Sequence, residues 1–142
     1  MNQERLVKII EDLQECIGDI EECIEILQGN KENKIMIKLS KSSLRQLFVS
    51  FHTILEEFTS IMLKEMKKYK IGMTLSDSLF VLKDENILDQ ELFDFLEKSR
   101  LLRNRISHRY KEPNHEELLD HILKYKGNFK KIVTIAKDYL KV

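Results

Sequence analysis

Apolar side chains recur every three or four residues along almost the whole chain, and that spacing leaves little choice of fold. From about Glu4 to Gln28 they are Leu6, Ile9, Ile10, Leu13, Ile17, Ile20, Ile24 and Leu27, the stripe of an amphipathic helix. Gly29-Asn30 reads as its stop. A second stretch, from about Glu32 to Tyr69, carries Ile35, Met36, Leu39, Leu44, Leu47, Phe48, Phe51, Ile54, Leu55, Phe58 and Met62. Ser40, Ser42 and Ser43 are candidate bending points within it. After a break at Ile71-Gly72-Met73, Thr74 is placed to cap a short helix from Leu75 to about Lys83, with Asp77 in its first turn. Asp89 is placed to cap the next helix, whose inward residues are Leu92, Phe93, Leu96, Leu102 and Ile106, and Pro113 marks its end. Asn114 with Glu117 reads as a capping box for a last helix, about His115 to Leu140, with Leu118, Leu119, Ile122, Phe129, Ile132, Val133, Ala136 and Leu140 inward.

One proline and four glycines in 142 residues leave little room for β-turns. The expectation is an all-α fold, an antiparallel four-helix bundle with an additional short helix, made by one domain over residues 1–142. Apolar residues at 42% against charged ones at 34% exclude a disordered chain. No apolar run is long enough to cross a bilayer, and the polar start Met1-Asn2-Gln3-Glu4-Arg5 shows no signal peptide. A cytoplasmic protein without membrane contact is expected. Cys16 and Cys23, seven apart on one helix face, are separated by about 10 Å along the axis, too far for a disulfide. With no further cysteine or paired histidine they make no metal site, and they read as small core or interface residues in a reducing compartment.

The chemistry concentrates in Arg103-Asn104-Arg105-Ile106-Ser107-His108-Arg109-Tyr110, flanked by Arg100 and Lys111. A guanidinium fixes a charge and offers a planar fork of donors to a phosphate. A histidine takes or gives a proton near neutral pH. Together they are the minimum kit for cutting a phosphodiester without a metal. An arginine with a histidine five residues on is weak evidence alone; Asn104 after the arginine and Tyr110 two after the histidine make it more specific. Net charge is zero, yet residues 1–32 carry nine acids against three bases, and residues 98–111 carry six bases and no acid. The local field decides phosphate binding, so neutrality does not exclude nucleic acid. A solvated charged face is the bland alternative for such a cluster.

The pattern resembles the R-x-x-x-x-H-x-Y signature of HepT-like toxins of the HEPN superfamily. The resemblance runs in order of elements from about Leu75 to the C-terminus, through a turn at Asn86-Ile87-Leu88-Asp89. Over the first half only helical character agrees. It implies that Arg103 and His108 are the catalytic pair, Asn104 the polar residue after the arginine, and Tyr110 the tyrosine that a partner nucleotidyltransferase antitoxin of the MntA type modifies with AMP. Arg105 is a departure, because the family often has a bulky apolar residue there. On one continuous helix, five residues turn through about 140°, so Arg103 and His108 would not share a face. The resemblance supplies the remedy: the motifs of two protomers meet across a symmetric homodimer.

The activity so implied is RNA cleavage with no metal and no cofactor. The 2′-OH attacks the adjacent phosphorus, His108 moves the proton, and Arg103 stabilises the added negative charge. Arg100, Arg105, Arg109 and Lys111 would position the RNA backbone. Lys64, Lys67, Lys68 and Lys70 suit a helix C-terminus and are further candidates for touching RNA. AMP on Tyr110 would put bulk and negative charge where RNA must lie. The alternatives are a non-catalytic HEPN module that binds a nucleotidyltransferase or a nucleotide, and a plain helical adaptor whose basic patch meets an acidic partner. For Tyr110 the alternative is an aromatic packed on the last helix. His52, between Phe51 and the next apolar turn, reads as a structural or interface residue.

Overall fold

The computed structural model describes residues 1–29, 33–108 and 110–141. Among them are six helices and no strand: α1 (Gln3–Gly29), α2 (Lys34–Glu65), α3 (Leu75–Asp84), α4 (Gln90–Ile106), α5 (His115–Lys124) and α6 (Lys126–Asp138). Asn30, the second half of the expected stop after α1, lies outside the described residues.

Cross-helix polar contacts set the directions. The Met1 ammonium meets Glu65 at 2.7 Å and Arg5 meets Glu57 at 3.6 Å, so the start of α1 lies beside the end of α2. Gln3 bonds the carbonyl of Tyr139, and Glu21 meets Lys130, so α1 and α6 are antiparallel too. Arg45 reaches Glu112, Glu56 reaches Arg103 and Lys68 reaches Glu85, which orders α2 antiparallel to the α3–α4 half. The all-α bundle is as the periodicity predicts. Its core joins every helix: Phe48 and Phe51 from α2, Phe95 from α4 and Phe129 from α6 are all buried. Phe51 and Phe95 each lie within 5 Å of the Phe129 ring, at 4.9 and 4.8 Å between centroids. Burying each such ring contributes roughly 1.5–3 kcal/mol. Cys16 and Cys23 are free and buried, and the Cys16 thiol donates to the Leu47 carbonyl at 3.4 Å.

Caps follow the sequence closely. Thr74 and Asp77 form a reciprocal capping box at 3.1 Å in both directions. Asp89 accepts from the Leu92 amide at 2.8 Å. Asn114 accepts from the Glu117 amide at 2.8 Å, but the Glu117 carboxylate does not return the bond, because it is engaged by Arg105.

Three boundaries differ from expectation. α2 stops at Glu65 rather than near Tyr69, since Lys67 takes a left-handed φ of 58° and the Lys68 amide bonds back to Leu63 at 2.8 Å. This is a glycine-type C-cap built without glycine, hence invisible in the sequence. α4 ends at Ile106, well before Pro113: its apolar face is exhausted there, and the Ser107 and His108 amides turn inward onto Arg103 and Arg105 carbonyls at 3.3 and 3.1 Å. The expected last helix is two, broken at Tyr125. That ring is buried against Phe95 at 5.2 Å, and its hydroxyl accepts from Lys98 at 3.1 Å. Gly127 and Asn128, both weak helix formers, follow at once.

Candidate functional site

Arg103 sits on the last turn of α4, one turn beyond Ser99. Its Nη2 donates to Glu56 Oε1 at 2.7 Å, with the arginine side chain 27% exposed. Its Nε is buried without a partner among the described residues. One turn from Glu56 on α2 stands His52, fully buried, with Nδ1 2.9 Å from the Phe48 carbonyl and Nε2 buried with no partner among the described residues. A buried polar atom left so costs about 1–3 kcal/mol. Burial pushes the His52 imidazole down to about 4, and the positive charges of Arg103 and His121 push the same way. His121 on α5 lies 2.7 Å by Nε2 from the Ser99 hydroxyl and stacks on Phe95 at 5.8 Å between centroids. Burial takes it to about 4 as well, helped by Lys98 and Lys124. A polar seam therefore runs from the core to the surface between α2, α4 and α5, and Arg103 is its outer end.

His108 lies beyond the helix, exposed, in the turn that follows the Ser107 cap. The Lys111 amide donates to its carbonyl at 3.0 Å. No hydrogen bond links Arg103 to His108 among the described residues. Tyr110 is 85% exposed with its ring 6.2 Å from that of His108, so it does not pack on the last helices. Asn104 is exposed beside Arg103. Arg109, expected to help hold RNA, falls outside the described residues.

The other basic residues are less free than their linear clustering suggests. Arg100 is forked onto Glu97 at 3.1 and 3.0 Å. Arg105 forks onto Glu117, with Nη2 to Oε2 at 3.0 Å, and its Nε donates to the Lys111 carbonyl at 3.1 Å. The Arg105 guanidinium holds the Glu117 carboxyl below the usual carboxylate range. Arg105 is thus a brace between α4, the loop and α5, which gives the charged residue at this position a structural part. The Lys111 side chain is exposed. Glu56, Glu117, Ser99 and His121 were not singled out as site residues from the sequence. The i, i+4 spacing of His52 and Glu56, and of Ser99 and Arg103, was the signal available.

Among the described residues no helix is long and apolar enough to cross a membrane. Comparison with curated protein sequences found no significant match. The chain is similar to a solved structure of a tri-AMPylated HEPN toxin from Shewanella oneidensis in complex with an MNT antitoxin: TM-score 0.79, 20% identity, 97% of this chain and 99% of that one covered. At that identity the likeness establishes the fold. Residues 13–134 match the family model described as Ribonuclease HepT-like, so the match reaches through the first half, where only helical character was legible. With most of its length inside that model, the chain belongs to the HepT-like ribonuclease family of the HEPN superfamily.

Proposed function

We propose that this protein is the endoribonuclease toxin of a HEPN/MNT toxin–antitoxin pair, acting in the cytoplasm as a homodimer without metal or cofactor. The observation that carries the reading is the placement of Arg103 and His108. One is a half-buried guanidinium on the last helical turn; the other is an exposed imidazole just past the helix end, and one chain does not bond them to each other. Two such ends facing each other across a two-fold axis would offer arginine and histidine from opposite sides to one phosphate.

In that composite site the ribose 2′-OH attacks phosphorus and the bond to the 5′-oxygen breaks. His108 moves a proton at the attacking or leaving oxygen, and Arg103 holds the phosphoryl oxygens as charge builds. The products are a 2′,3′-cyclic phosphate and a 5′-hydroxyl; DNA lacks the nucleophile. Asn104, Lys111 and Arg109 are assigned to the RNA backbone. Arg100 and Arg105 are already forked by carboxylates and contribute mainly to position. The exposed hydroxyl of Tyr110 is the AMP acceptor for a cognate MntA-like nucleotidyltransferase, and the similar toxin described as tri-AMPylated supports that assignment.

The experiment is cleavage of total RNA in EDTA by wild type, Arg103→Ala and His108→Ala, all three first verified as folded dimers. Cleavage by wild type alone, leaving cyclic phosphate ends, supports the reading. No cleavage by an unmodified wild-type dimer favours the second reading, a non-catalytic HEPN module bound to its nucleotidyltransferase. The carboxylates already seated on Arg100, Arg103 and Arg105 are the observation on that side.

A further inference from the structure

Two buried polar atoms in the seam have no partner among the described residues, and they are complementary. His52 Nδ1 faces the Phe48 carbonyl, an acceptor, at 2.9 Å, so Nδ1 carries the proton. The neutral ring then presents a lone pair at Nε2, and that atom is buried and unpartnered. Arg103 Nε–H is a donor, also buried and unpartnered. The two residues share one locality. Glu56, one turn from His52 on α2, holds the outer edge of the Arg103 guanidinium. Ser99, one turn from Arg103 on α4, holds His121, which like His52 packs edge-to-face with Phe48, at centroid distances of 5.9 and 4.7 Å. The charge of Arg103 is felt at the His52 ring. An imidazole with 0% exposure, set among Phe48 and Phe51, is a poor choice for packing alone. A phenylalanine would fill the space without the orphaned atom.

We infer that His52 is a positioning residue for Arg103. Its Nε2 lone pair is the inner anchor to which Arg103 Nε–H turns, directly or through one bridging water, when an RNA phosphate takes the outer edge of the guanidinium from Glu56. The inference rests on the proposed ribonuclease reading for its functional half only. Without an inner anchor, Arg103 would lose its orientation at the moment Glu56 lets go. With one, the guanidinium exchanges a carboxylate for a phosphate while its inner edge stays fixed. Burial and the neighbouring positive charge keep His52 neutral near pH 7, so the lone pair remains available.

The test has two arms. In the first, the Arg103 Nε–H and His52 ring nitrogens are followed by nitrogen-15 NMR in the whole protein, free and with an uncleavable 2′-O-methyl RNA. The expected result in wild type is an Arg103 Nε–H protected from exchange relative to the exposed Arg5, more so with RNA, together with a His52 Nε2 shift typical of a hydrogen-bonded lone pair. In His52→Phe that protection is lost; in His52→Gln, whose amide oxygen accepts, it is retained. An Arg103 Nε–H as labile as that of Arg5, or equally protected in His52→Phe, overturns the inference whether or not the protein cuts RNA. In the second arm, kcat and KM are compared among variants of matched thermal stability. His52→Phe should lower kcat about tenfold or more, the worth of one hydrogen bond to a charged group, and His52→Gln should recover most of it. Equal kcat in wild type and His52→Phe overturns the functional half. A wild type that cuts nothing sinks the ribonuclease reading and leaves the first arm to decide the contact.

Discussion

Arg103 Nη2 and Glu56 Oε1 lie 2.7 Å apart, joining residues 47 positions distant across the seam between α2 and α4. The Glu56 side chain is 48% exposed and that of Arg103 27%, so the pair adds little to stability. What it does is fix where the guanidinium sits, and it occupies the edge a phosphate would use. Glu56→Gln should therefore tighten binding of an uncleavable 2′-O-methyl RNA. Fluorescence anisotropy measures this, and an unchanged affinity would show that RNA does not compete with Glu56.

The two buried histidines make stability pH-dependent with a definite sign. His52 and His121 fall from 6.5 to about 4 in the folded protein, so the unfolded chain binds more protons between those values. Stability should be fully present above pH 6.5 and decline as pH falls towards 4. Each histidine contributes a slope of at most about 1.4 kcal/mol per pH unit. Urea midpoints for wild type and His52→Phe between pH 7 and pH 4 check this; the variant should show the shallower decline.

Ser99→Ala removes the hydroxyl that meets His121 at 2.7 Å and leaves that ring nitrogen in the seam. The expected loss is about 1–2 kcal/mol, read as a lower thermal midpoint with the helical circular dichroism signal intact. A variant as stable as wild type would place a water rather than Ser99 as the partner of His121.

Glu117→Gln breaks the charged fork that braces Arg105. Arg105 also holds the Lys111 carbonyl, and the Lys111 amide donates to the carbonyl of His108. Hydrogen exchange at the Lys111 amide should speed up by about tenfold, and kcat should fall more than KM changes, because the histidine loses its footing. The same brace should weaken in acid. Arg105 lowers the Glu117 carboxyl below 4.5, so its stabilisation is present above that pH and is lost as pH falls through the lower, folded value.

How far the sequence carried the fold depends on what each signal encodes. The helical stripes and the caps at Thr74, Asp89 and Asn114 are local, and they stand where spacing put them. The end of α2 at Lys67 was hidden because a lysine does there what a glycine usually does. The break at Tyr125 was hidden because Ile122 and Phe129, seven apart, keep the apolar stripe in phase across it. In the candidate site, Arg103, His108 and Tyr110 were legible as a motif. The carboxylates on Arg103 and Arg105 were not, since Glu56 and Glu117 are brought in by tertiary packing rather than by spacing. From its apolar neighbours His52 reads as a structural or interface residue; its burial fits the first, and only the orphaned Nε2 points further.

The early stop of α4 splits the inheritance of the motif. Arg103 stands on a helix whose place is set by Phe95, Leu96 and Leu102 in the core, while His108 hangs from a short loop tied back by Arg105 and Glu117. A substitution deep in the bundle speaks to the arginine, and one in the brace speaks to the histidine. On the proposed reading, loop variants would retune the half of the motif assigned to proton transfer without reopening the packing that holds the arginine, and the two halves would drift at different rates.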